Sequence, residues 1–148
     1  MMRYIFYFLP FVIGIALTTQ AGINSQLKVA INNPWLAAFI SFVVGTVFLG
    51  IIIAVTKQTI PSATELGNIP LYKYTGGVLG AFIVTGVIFS VQKIGSANSF
   101  VLLIGGQMLV ALIYDHFGLF GLPQSSFNIT KLLGVLLLVM GSYLIIRK

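Results

Sequence analysis

Seven polar side chains, Thr18, Thr19, Gln20, Asn24, Ser25, Gln26 and Lys28, fall within eleven positions of a chain otherwise built from Ile, Leu, Val, Phe and Gly. Gln20, Asn24 and Lys28 recur at every fourth residue, so on a helix they form one stripe. A carboxamide carries donors and an acceptor but does not titrate, so the chemistry of such a stripe is hydrogen-bonded recognition rather than bond breaking. Gln107, in "LLIGGQMLV", repeats the pattern deep inside a second apolar run, flanked by Gly105 and Gly106. Asn98 and Ser99 open that run, where they can cap a helix or join a binding surface. Asp115 and His116 are the only acid and imidazole adjacent to an apolar segment. An imidazole changes charge near neutral pH, so the pair can carry a proton. Nothing resembles a nucleophile with its base, a zinc site or a phosphate loop. No enzyme, metal or cofactor is therefore expected.

The elements that hold these residues must cross a membrane. Hydrophobic residues make up 58% of the 148 and charged ones only 7%, against about 25% charged in soluble domains. The formal charge of +6 is spread singly over the ends of apolar runs, as membrane-flanking Lys and Arg are, and forms no nucleic-acid footprint. There is no cysteine, hence no disulfide or thiol chemistry. The start, "MMRYIFYFLPFVIGIALTTQAG", has the outline of a signal peptide, but further apolar segments follow and it is expected to be the first spanning helix. Runs near the 20 residues a bilayer requires predict helices over about 4–26, 35–56, 74–92, 97–117 and 130–146. The expected fold is an all-α membrane protein, a single membrane domain of five transmembrane helices. "INNPW" offers Asn33 as a cap and Pro34 as a first helical residue. Trp35, Tyr72, Tyr74 and Tyr114 fall at segment ends as an aromatic belt. "KQTIPSATELGNIPLYK" and "FGLFGLPQSSFN" are the exposed loops. Gly76, Gly80, Gly105, Gly106, Gly134 and Gly141 are expected to serve helix packing, Gly134 and Gly141 as candidates for a contact between subunits.

Four stretches, "QAGINSQL", "NPWLAAFISFVVGT", "GGQMLVALIYDHFGLFGLP" and "LLGVLLLVMGSYLIIRK", resemble the drug/metabolite transporter superfamily, and within it the half-size, five-helix branch of YdcZ-like inner-membrane exporters. More distantly, "KIGSANSFVLLIGGQMLV" is similar to a helix of small multidrug resistance exporters, which work as antiparallel dimers of one short chain. The resemblance implies a multi-pass protein of the bacterial inner membrane that exports a small molecule, a metabolite or drug-like compound, by alternating access. It also implies one half of an inverted-repeat transporter. The small exporters carry a membrane-embedded Glu on the first helix; this chain has no carboxylate there, and Gln20 cannot titrate. A non-transporting accessory subunit or a small channel is the alternative from another class.

Two accounts of each polar group stay open. Gln20, Asn24 and Gln107, with Asn98 and Ser99, either bond between helices or line a substrate cavity, since transporter sites lie near the midplane. Lys28 is expected to snorkel to the interface. Asp115 either pairs with Lys131 at the membrane surface or joins His116 in proton coupling. Five spans place Arg3, Lys57, Lys73 and Lys131 on one side and Lys28, Lys93, Arg147 and Lys148 on the other. Because basic residues set orientation, this four-to-four tie predicts both orientations and an antiparallel homodimer in the lipid, with a parallel dimer or a hetero-pair of related half-size chains as runner-up.

Overall fold

A computed structural model describes residues 2–147, with side chains from Phe8 to Arg147. Arg3 and Lys148 of the charge count thus have side chains outside that description. The described chain is helical: α1 (Met2–Ile31), α2 (Pro34–Val55), α3 (Ala63–Gly67), α4 (Thr75–Ile94), α5 (Ser96–Phe117) and α6 (Ile129–Ile146). Five of these, all but the short α3, are long and apolar enough to cross a membrane. This is the all-α, five-span architecture the apolar runs predict.

The first compact unit, Met1–Gln92, holds α1, α2 and most of α4. Between α1 and α2 the chain turns at Asn32, in the left-handed region at φ 50°, and at Asn33, extended at φ −147°. Asn33 has no other choice, because the following Pro34 disfavours the helical region for its predecessor. Its side chain accepts the Leu36 N–H at 3.0 Å and so caps α2. Leu27 and Ile31 of α1, with Val84 of α4, pack against Ala37, Ala38 and Ile88. Ala37 and Ile88 are 0% exposed. A side chain of one methyl lets the backbones approach closely, as small residues do between membrane helices. At Gly80 an added Cβ would lie 3.4 Å from the Phe42 ring, a second close approach within this unit.

The first helix is longer than its composition suggests. It was expected to end near Gln26, but it continues to Ile31 because no Gly or Pro interrupts "LKVAI" before Pro34. The long loop also carries more structure than expected. Ser62 and Glu65 form a capping box that starts α3, and the Tyr74 hydroxyl donates to the Leu66 carbonyl at 2.8 Å.

The second unit, Lys93–Lys148, is a hairpin of α5 and α6. Gly95, at φ 82°, precedes α5, and Gly118, at φ 61°, ends it in the left-handed conformation that glycine adopts without a Cβ penalty. Asn128 caps α6, accepting the Lys131 N–H at 2.9 Å.

Candidate functional site

The extension of α1 changes the depth of its polar stripe. Gln20 lies eleven residues before Ile31, about 16 Å at 1.5 Å per residue, half of a hydrocarbon core about 30 Å thick. Gln20 also falls at the middle of the apolar span Phe8–Ile31. Gln20 is exposed there, while Asn24, one turn on, is 5% exposed. Asn24, Ala21, Leu27 and Ile31 thus share the face that α1 turns inward. The stripe divides: Asn24 belongs to the interior of the first unit, Gln20 to its surface, and Lys28, half-buried, to the helix end.

In the second unit Gln107 sits at the middle of α5, also exposed. An added Cβ at Gly105 or Gly106 meets nothing within 4 Å, and the same holds at Gly76, Gly134 and Gly141. Of the six glycines expected to serve packing, Gly80 is the one at a close approach within the chain. Asn98 is half-buried and Ser99 is 7% exposed, its hydroxyl donating to the Gly95 carbonyl at 2.7 Å. The Ser99 proton is therefore engaged by its own helix.

Asp115 and His116 end α5 beneath a loop that folds back on it. The Ser125 N–H donates to the Asp115 carbonyl at 2.8 Å. The Gln124 amide donates to the His116 carbonyl at 2.9 Å, and the Phe127 N–H to His116 Nδ1 at 3.3 Å. The ring also meets the edge of Phe117 with centroids 4.8 Å apart. Lys131 does not form the expected pair with Asp115. Its ammonium donates to the Ser125 carbonyl at 3.0 Å, the Ser125 hydroxyl at 2.8 Å and the Ser126 carbonyl at 3.1 Å. Three acceptors in a folded loop match the three donors of an ammonium, and no ion pair joins Asp115 among the described residues.

Sequence reasoning passed over Gln92. Its Nε2 donates to the Ser25 carbonyl at 2.9 Å, tying the end of α4 to α1. Thr85, 3% exposed, is likewise buried in this unit and donates to the Ala81 carbonyl at 2.8 Å. An amide two residues before the end of an apolar helix is a signal, but it names no partner.

Five apolar spans define a multi-pass helical membrane protein, in which no cluster of metal-ligating side chains occurs among the described residues. The chain belongs to the family described as "Putative inner membrane exporter, YdcZ", whose model matches residues 5–144. It is also 28% identical over 136 residues, 91% of this chain and 90% of the relative, to "Inner membrane protein YdcZ" of Escherichia coli (strain K12). No solved structure matches the chain. The protein is thus a multi-pass inner-membrane protein of an exporter family.

Proposed function

We propose that the protein exports a small molecule as an antiparallel homodimer with alternating access, and that Gln20, Asn24 and Gln107 line the translocation path of the assembled dimer. The observation that carries this is the exposure of Gln20 and Gln107 at the mid-depth of their helices. A carboxamide left to hydrocarbon costs about 4 kcal/mol or more, so both side chains call for a second polar surface or for water. A path through an assembled transporter supplies that surface where a lone five-helix chain does not. The tie of basic residues on the two sides supports the opposed orientation of the copies. Asp115 and His116, at a helix end, are the positions proposed for proton coupling.

Transport tests the first part. In proteoliposomes, Gln107→Leu should lower saturable flux at least tenfold at normal yield and dimer content; unchanged flux would return Gln107 to a packing role. Saturable, ligand-specific thermal stabilisation in detergent should accompany transport, whereas an accessory subunit would show none. For topology, a cysteine placed at Ser62 should label from both sides of sealed membranes. Labelling from one side only would remove the antiparallel dimer. If Asp115→Asn and His116→Gln both leave the pH dependence of flux intact, coupling does not run through them.

A further inference from the structure

We infer that the transported molecule is a small compound without net charge that presents adjacent hydrogen-bond donor and acceptor groups, an amide-like edge, to a mid-depth carboxamide, that of Gln20 or that of Gln107. This rests on the exporter function proposed above and goes further by naming the substrate class. The argument begins with charge. Every charged residue inside the five long helices, Arg3, Lys28, Lys93, Asp115 and Lys131, lies within three residues of a helix end. At mid-depth there is no counter-charge for an ion, and an unpaired ion is the most expensive occupant of that depth.

The hydroxyls narrow the choice further. Thr18 and Thr19 donate to the carbonyls of Gly14 and Ile15 at 3.1 and 2.9 Å, and Thr46 to Phe42 at 2.8 Å. Thr85 and Ser142 do the same toward Ala81 and Leu138. Each has committed its proton to the carbonyl four residues earlier. The backbone offers no donors either, because α1, α2, α4, α5 and α6 run unbroken through their middles, unlike the interrupted helices that coordinate ions in other transporters. The exposed groups that hold free donors beside an acceptor at mid-depth are the carboxamides of Gln20 and Gln107. A carboxamide meets an edge bearing one donor and one acceptor with two parallel hydrogen bonds, as Gln does with the edge of adenine. A molecule with such an edge leaves neither partner unsatisfied in a dry path, and one lacking it leaves amide groups unpaired.

The probes are nicotinamide, its permanent cation 1-methylnicotinamide, and N,N-diethylnicotinamide, which lacks the N–H. Uracil and 1,3-dimethyluracil form a second set. In proteoliposomes of the full chain, nicotinamide or uracil should enter saturably above protein-free vesicles. Alkylation of the donor should lower that entry at least tenfold, and the cation should neither enter nor compete. Gln20→Leu and Gln107→Leu should each reduce entry at least tenfold with a normal gel-filtration profile, while Gln58→Ala, in the exposed loop after α2, should leave it unchanged. Gln107→Glu adds a readout that misfolding cannot imitate, since it should admit 1-methylnicotinamide. Saturable entry of 1-methylnicotinamide or tetraphenylphosphonium through the unmodified protein would overturn the substrate class and leave the exporter function standing. Saturable entry of no probe in either class would remove both.

Discussion

The two units of the chain hold their helices together by different means. In Met1–Gln92 the tie is apolar: Leu27, Ile31 and Ile88 pack with the buried Ala37 and Ala38. In Lys93–Lys148 no hydrophobic side chain is as deeply buried among the described residues. That hairpin is instead closed at one end by hydrogen bonds from Ser125, Gln124, Phe127 and Lys131. Water weakens such bonds at the membrane surface but has no access to a packed methyl in the core. The first unit is therefore sensitive to volume and the second to the polarity of its loop.

Three substitutions test that contrast. Ala37→Leu should have the largest effect, because an overpacked site costs about 1–3 kcal/mol. At about 2–4 °C per kcal/mol for a chain of this size, the detergent melting temperature should fall by about 2–12 °C. The matching change at exposed Ala111 of α5 should leave it within about 1 °C. Equal shifts would erase the distinction. Lys131→Met comes next. It removes three hydrogen bonds from an ammonium that is half-buried rather than sealed. A loss of about 1 kcal/mol would speed amide exchange over residues 118–128 about fivefold and leave α1 and α2 unchanged. Exchange that rises throughout the chain would mean the loop supports more than its own hairpin.

The smallest effect belongs to the long loop of the first unit, where polarity rather than volume should govern. The Ser62 backbone N–H, and after it the Ser62 hydroxyl, hold the Glu65 carboxyl below its ordinary value. A folded value below the unfolded one means that the capping box contributes fully above the unfolded carboxylate range. The contribution is lost as pH falls through the folded value. Beyond the intrinsic pH dependence of exchange, protection of the α3 amides should therefore decline under acid in the native chain. In Glu65→Gln it should stay flat. A decline of the same size in the variant would place the sensitive group elsewhere.

The legible parts of this molecule are those where a residue acts through its immediate neighbours. The break before α2 follows from Asn33 and Pro34 alone, and the five spans from runs of apolar residues. The box at Ser62 and Glu65 was equally local, a serine followed three residues later by a glutamate, yet it was read as loop because two prolines flank it. The end of α1 was misplaced for a different reason. Lys28 and Gln26 look like an exit from the membrane by composition, but a helix stops at a conformational barrier, and none arises before Asn33. The partner of Lys131 was beyond sequence reasoning. Asp115 and Lys131 share a side and opposite charges, but the turn at Gly118 brings Ser125 and Ser126 to the ammonium, and that return is a property of the folded loop. The same limit applies to Gln92, whose bond to Ser25 joins residues 67 positions apart.

The threonines of α1 also have a mechanical consequence. From Ala21 to Ile31 the helix is clamped by Leu27, Ile31 and the Gln92 bond, whereas Phe8 to Thr19 are exposed throughout. At the junction, Thr18 and Thr19 draw on the carbonyls of Gly14 and Ile15, a back-bonding that often bends helices, and Pro10 removes one further rung earlier in α1. The helix should therefore yield most readily immediately before Gln20. Replacing both threonines by valine should narrow the spread of distances between spin labels at Val12 and Val29, and an unchanged spread would place the compliance elsewhere. Swinging of the outer arm would turn the Gln20 carboxamide through an angle while hardly changing its depth.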